Sequence, residues 1–258
     1  MIKNFVVVGS GKGGVGKSTV ALNIAISLAR FKKLKVGLLD ADIYGPSVPK
    51  MLGIIEKPST SSEKKIIPYN KFSIKSMSIG NMISSDDAII WRGPMASSAI
   101  RQLINDVDWG DLDFLIIDLP PGTGDIHLSL CQNLKVTGAV IVSTPQEISL
   151  IDVRKAINMF KKVNVPILGF VQNMSYLEIK KEKEYIFGKN GALNESKKQK
   201  IKFLGDIPIL AEISSAGDEG KPLTSEDKTH TNDIFNNITD NLLDSISVLN
   251  TSEIKINN

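Results

Sequence analysis

Residues Gly11-Lys12-Gly13-Gly14-Val15-Gly16-Lys17-Ser18-Thr19 constrain this chain more than any other segment. They fit the spacing G-x-x-x-x-G-K-[ST], which carries a mechanism only between a strand and a helix. Both neighbours are readable. Phe5-Val6-Val7-Val8 is a short apolar, β-branched run that predicts a buried parallel strand. Val20 to Ala29 is largely apolar and predicts a helix. Glycines let such a loop turn sharply and bring backbone N–H groups close to phosphate oxygens. The helix N-terminus adds partial positive charge at the same point. The pattern therefore predicts a bound nucleoside triphosphate, with Lys17 reaching its β- and γ-phosphates and the Ser18 hydroxyl ligating Mg2+.

Further apolar runs recur at Lys35–Leu39, Phe114–Ile117, Ala139–Val142 and Ile167–Val171. Helix-like stretches lie between several of them, at Ala96–Val107, Asp125–Leu134 and Leu150–Lys162. This alternation predicts an α/β fold: a doubly wound, mainly parallel sheet with helices on both faces. Ligands bind such sheets beyond the carboxyl ends of the strands. The glycine loop, Asp40, Asp118 and Asn173 all fall at or just after strand ends, which places them on one rim.

The chain reads as one P-loop ATPase domain over 1–258. Residues 177–202, rich in lysine and glutamate, read as a surface insertion, and about 251–258 as a disordered tail. At 42% hydrophobic and 23% charged residues, the composition is that of a globular protein. No apolar stretch approaches the roughly 20 residues of a membrane span. Met1 leads straight into the first strand, which leaves no room for a signal peptide. A single cysteine, Cys131, excludes an intramolecular disulfide. These features point to the cytoplasm. A net charge of +3 is too small to argue for nucleic acid.

Two acidic motifs follow strands. Asp40-Ala41-Asp42 can serve a metal, a water or a helix cap. Asp118-Leu-Pro-Pro-Gly-Thr-Gly-Asp125 places a carboxylate at the end of an apolar strand, the arrangement that holds Mg2+ in nucleotide sites. The prolines and glycines after it suit a loop with two shapes.

These motifs together resemble the Mrp/ApbC proteins, a branch of the deviant Walker A ATPases that also include MinD and ParA. The resemblance covers about residues 3–245. It is carried by Lys12 inside the glycine loop, Asp40–Gly53, Trp91-Arg-Gly-Pro-Met95, Asp118–Asp125, Thr144-Pro-Gln-Glu147, Gln172-Asn-Met-Ser-Tyr176 and Tyr185-Ile-Phe-Gly188. It implies an ATP hydrolase that works as a homodimer across the nucleotide. Lys12 would cross to the partner's phosphates, Asp42 would orient the attacking water, and Asp40 and Asp118 would support the magnesium side. Asn173 would hydrogen-bond adenine, since an amide offers both a donor and an acceptor. The family role is iron–sulfur cluster carriage to recipient or scaffold proteins.

The chain departs from that family at one point. Many members carry a Cys-x-x-Cys pair between the Asn-Met-Ser-Tyr and Ile-Phe-Gly motifs, and here the stretch Leu177–Glu184 contains no cysteine. Cys131 is expected to be a buried small residue, and His127 a structural or surface histidine. Two other readings remain open at this level. One is a MinD- or ParA-like positioning protein whose attachment ATP gates. The other is a non-catalytic adaptor gated by nucleotide. The apolar face of Ile234, Ile238, Leu242 and Ile246 is backed by acids, with no lysine or arginine between Thr229 and Asn250. It is expected to pack on its own domain, so no membrane or nucleic-acid partner is expected.

Overall fold

The computed structural model describes residues 1–82, 93–227 and 230–256, with side chains as far as Thr251. The strands are β1 (Ile2–Ser10), β2 (Val36–Asp40), β3 (Tyr69–Lys71), β4 (Ile74–Ser78), β5 (Leu112–Asp118), β6 (Gly138–Ser143), β7 (Ile167–Gln172), β8 (Leu177–Ile179), β9 (Glu182–Glu184) and β10 (Phe203–Asp206). The helices are α1 (Lys17–Arg30), α2 (Val48–Met51), α3 (Gly93–Asp106), α4 (Asp125–Asn133), α5 (Glu147–Lys162), α6 (Gly191–Gln199), α7 (Ala211–Asp218) and α8 (His230–Ile256).

Eight strands form one sheet in the order β10-β7-β6-β1-β5-β2-β4-β3. Every neighbouring pair is parallel except β3 with β4. The chain moves from β1 towards β2 on one side and from β5 across to β6 on the other. The order thus reverses around β1, and the glycine loop leaves its carboxyl end at the switch point where such sheets bind ligands.

Strand periodicity divides the core. Val6 and Val8 join a cluster with α1 and α8, whereas Val7 joins one with residues of α3, α4, α5 and α6. Successive strand residues point to opposite faces, so one apolar run feeds two layers. On the first face α8 buries Phe235, Ile238, Leu242 and Ile246 at helical spacing. Each contributes about 1.5–3 kcal/mol of burial. The face expected to pack on its own domain does so.

The structure differs from the reading of the sequence in three respects. Strands β3, β4 and β10 carry too little apolar sequence to stand out. Residues 177–202 are not one insertion: β8 and β9 pair as an exposed hairpin, but α6 is the crossover helix between the parallel strands β7 and β10. It buries Ala192 and Ser196. The Gln172 side chain accepts a hydrogen bond from the Ala192 N–H at 2.9 Å, which fixes the start of α6 to the end of β7. The tail expected to be disordered from about 251 is helical as far as Ile256.

Phe235 is fully buried between α8 and the sheet. Replacing it with Ala is expected to lower unfolding stability by about 3–5 kcal/mol in urea denaturation. A change below about 1 kcal/mol would mean that α8 is not part of the core.

Candidate nucleotide-binding site

Backbone geometry shapes the glycine loop first. Gly14 and Gly16 have φ of 78° and 81°, in the left-handed region that favours glycine. A Cβ on Gly16 would collide with the Asn173 amide, and one on Gly11 with the backbone of Asp152 on α5. The loop is thus wedged between the end of β7 and α5.

Below it lies a buried charge cluster. Lys17 Nζ donates to Asp118 Oδ1 at 2.7 Å and stands 3.4 Å from Asp42 Oδ2 and 3.3 Å from Ser18 Oγ. Lys17 and Asp42 are buried, and Asp118 is wholly inaccessible. Burial pushes the Asp118 carboxyl above its ordinary range, and the Lys17 ammonium pulls against that shift. Asp118 Oδ2 is buried and accepts no hydrogen bond among the described residues. A buried oxygen without a partner beside a hydroxyl, under a phosphate loop, fits a hard divalent cation.

Asp40 stands beside Asp118 on the neighbouring strand, and both of its carboxylate oxygens are engaged within the chain. Its Oδ1 accepts from the Asp42 N–H at 3.1 Å. Its Oδ2 accepts from the Val48 N–H at 3.1 Å and the Ser78 hydroxyl at 3.0 Å. With both oxygens engaged, Asp40 braces the loop that presents Asp42. Burial and the nearby Asp118 charge push its carboxyl up to about 7.

Asn173 follows β7. Its side-chain amide donates to the Val15 carbonyl at 2.9 Å, and its own N–H donates to Ser143 at 2.8 Å. It lines a cleft of about 640 Å3 together with Thr19, Met51, Phe187, Pro208 and Ile213. A second cleft, of about 300 Å3, is lined by Lys12, Gly13, Gly14, Lys17, Ser18 and Asp42. Gly16, Thr19 and Met51 border both. A small polar compartment therefore adjoins a larger apolar one, the division a nucleotide requires between phosphates and base. Sequence reasoning missed the apolar wall at Pro208-Ile209-Leu210. Its one available signal is a proline soon after a short strand.

Lys12 borders the phosphate compartment, and its ammonium has no partner among the described residues. Cys131 is buried, as expected, and burial pushes its thiol up to about 12. His127 is buried rather than exposed. Of the Trp91–Met95 motif, Trp91 and Arg92 lie outside the described residues. No helix among the described residues is long and apolar enough to cross a membrane.

Fold and site define a P-loop NTPase of the deviant Walker A branch. A family model described as "ParA: NUBPL iron-transfer P-loop NTPase" matches residues 1–243, and the chain belongs to that family. It is 48% identical to an iron-sulfur cluster transfer protein NUBPL of Dictyostelium discoideum, over 99% of this chain and 80% of that protein. It is 49% identical to an iron-sulfur cluster carrier protein of Aquifex aeolicus, over 86% of this chain and 62% of that protein. A nucleotide-binding protein from Archaeoglobus fulgidus, solved with ADP, superposes with a TM-score of 0.77 at 40% identity, over 88% of this chain and 90% of that one. MinD from Pyrococcus horikoshii, solved with Mg-ADP, shares the fold at a TM-score of 0.67 and 21% identity, over 93% of this chain and 95% of that one.

The Asp40 carboxyl gives a pH dependence. Its folded value near 7 lies above the ordinary carboxylate value of 3.8, so the folded state holds a proton that the unfolded state releases between those values. That contribution is present below pH 3.8 and is lost as pH rises through 7. Burial of His127 lowers its value and pulls the other way in the upper part of that window. Comparison with Asp40→Asn isolates Asp40. From pH 5 to 7.5, the nucleotide-free wild type is expected to lose thermal stability relative to Asp40→Asn. A pH-independent difference between their melting temperatures would contradict the assignment.

Proposed function

We infer that this chain is an ATP hydrolase that closes on a second copy of itself and serves iron–sulfur cluster transfer. The carrying observation is the convergence of Lys17, Ser18, Asp42 and Asp118 under the glycine loop, beside a Lys12 ammonium with no partner among the described residues. The N–H groups of residues 11–19 bind the phosphates, and the apolar cleft beside Asn173 takes the adenine. Lys17 exchanges its contact with Asp118 for the β- and γ-phosphates. Ser18 and Asp118 hold Mg2+, which neutralises phosphate charge when bound. Asp40 takes the bracing role and leaves the metal to those two residues.

Asp42 orients a water molecule whose oxygen attacks the γ-phosphorus. The bond from that phosphorus to the β–γ bridging oxygen breaks, releasing ADP and phosphate. Lys12 of a second copy stabilises the charge on the transferring group, as an arginine finger does. This gives a use to a cation at the rim that no described residue of its own chain engages.

Relatives named as cluster carriers or transfer proteins support cluster handling as the cellular task. The residues do not supply thiolate ligation of a cluster. Clusters are held by soft thiolates. The one thiol of this chain is buried, and it is held protonated. The cluster in this reading is cargo whose thiolate ligands come from a recipient or scaffold protein in a reducing compartment. The same observation favours one second reading, an adaptor in which nucleotide gates docking without useful turnover. Attachment to a membrane is less supported, because the apolar face of α8 is buried in the core.

Turnover separates the readings. The purified protein is expected to hydrolyse ATP with Mg2+ present, and Lys17→Ala to lose roughly 100-fold or more in kcat/KM. Equal rates in the two proteins would remove the hydrolase reading and leave the adaptor. Anaerobic incubation with iron and sulfide is expected to leave no stoichiometric cluster on this chain alone. A stable cluster at fixed iron per dimer would show that other residues ligate it.

A further inference from the structure

The loop from Leu119 to Gly124 joins the metal-side carboxylate Asp118 to α4. Two of its N–H groups tie it to β1: that of Leu119 donates to the Val8 carbonyl at 3.0 Å, and that of Gly122 to the Ser10 carbonyl at 3.1 Å. Between those ties stand Pro120 and Pro121, which have no N–H to give. Pro121 borders the phosphate compartment and lies against Gly13 of the glycine loop. The part of the loop nearest the nucleotide is therefore the part that its own backbone donors cannot hold.

Among the described residues, one side chain hydrogen-bonds to it. His127, in the first turn of α4, sets Nε2 2.8 Å from the Pro120 carbonyl. A carbonyl only accepts, so this nitrogen carries the proton and donates, and Nδ1 is the unprotonated atom. Nδ1 is buried with no partner among the described residues. The ring is thus sequestered for the sake of one hydrogen bond, with half of its polar capacity unused. A buried polar atom left unpaired has a cost, which packing alone would avoid with an apolar side chain. The backbone N–H of His127 also donates to Gly124 at 3.0 Å, so the residue closes the loop onto α4 at two points.

We propose that His127 is a positioning residue for ATP hydrolysis, which holds the Pro120 carbonyl and thereby sets Pro121 and Asp118 at the phosphates. The proposal rests on the hydrolase reading of the site. His127 touches neither nucleotide nor water itself. It acts through a loop whose placement is needed for the reaction more than for binding, because the glycine loop and Lys17 supply the binding contacts.

The test compares His127→Phe and His127→Gln with the wild type. Phe fills the ring volume without a donor, and Gln offers an N–H at similar reach. Steady-state kinetics with Mg·ATP are expected to show kcat lowered about tenfold in His127→Phe, with KM changed less than about threefold, and most of kcat restored in His127→Gln. Amide exchange across residues 119–128 of the nucleotide-free protein is expected to quicken in His127→Phe and stay near wild type in His127→Gln.

Equal kcat in wild type and His127→Phe would overturn the role. So would equal losses in both variants, since they would trace to packing. A wild type without turnover would overturn the hydrolase reading and this proposal's catalytic claim with it. The exchange measurement would then still show whether the bond orders the loop. A His127→Phe protein that fails to fold leaves His127→Gln to decide: wild-type kcat and exchange support the bond, and a tenfold loss with faster exchange contradicts it.

Discussion

The short contact between Lys17 and Asp118 organises the rest of this site. An ammonium and a carboxylate buried together at the end of a sheet give little net stability, because desolvation offsets most of their attraction. Their use here is in placement. Two further carboxylates, Asp40 and Asp42, stand in the same buried region, so acids outnumber the one lysine. The cluster is rich in acids and short of positive charge, which a divalent cation would supply. The parallel strands β1, β2 and β5 hold it together, since Val8 and Asp40 both register with Asp118. No local segment could assemble these groups without the sheet.

Much of this architecture is visible in the residues alone, and what is hidden has a physical cause. Strands β1, β2, β5, β6 and β7 are buried on both faces and therefore read as continuous apolar runs. Strand β4 alternates Lys75 and Ser76 among its buried positions, and β10 has four residues with a glycine inside, so neither shows a run. Helix α6 reads as charged surface because its buried contribution is small: Ala192, Ser196 and a Glu195 held by Arg154. Its role as a crossover depends on what precedes and follows it. At the site, the phosphate-binding residues are legible because their spacing is their mechanism. The role of Asp40 is not, since only the folded loop shows both its oxygens occupied. The base cleft is hidden for a similar reason, because its walls come from distant segments.

Family membership sharpens one tension. The chain is about half identical to relatives named as cluster carriers, yet the region where the resembling family places a cysteine pair is here a hairpin of lysine and glutamate. That hairpin adjoins the larger, apolar cleft in the fold. Leu177 bridges to Ile209, and Ile186 and Phe187 just beyond it line the base cleft. The protein keeps the machinery that would sense nucleotide and lacks the ligands that would hold a cluster, which is what a subunit relying on another protein's thiolates requires.

A Lys17 held in reserve for phosphate must leave Asp118 when nucleotide binds. The most direct measurement is a crystal structure with Mg2+ and a non-hydrolysable ATP analogue. It should show Lys17 moved from Asp118 to the β- and γ-phosphates, the metal beside Ser18 and Asp118, and Lys12 of a second copy at the same phosphates. A nucleotide bound with Lys17 still on Asp118, or a single copy with Lys12 in solvent, would contradict it.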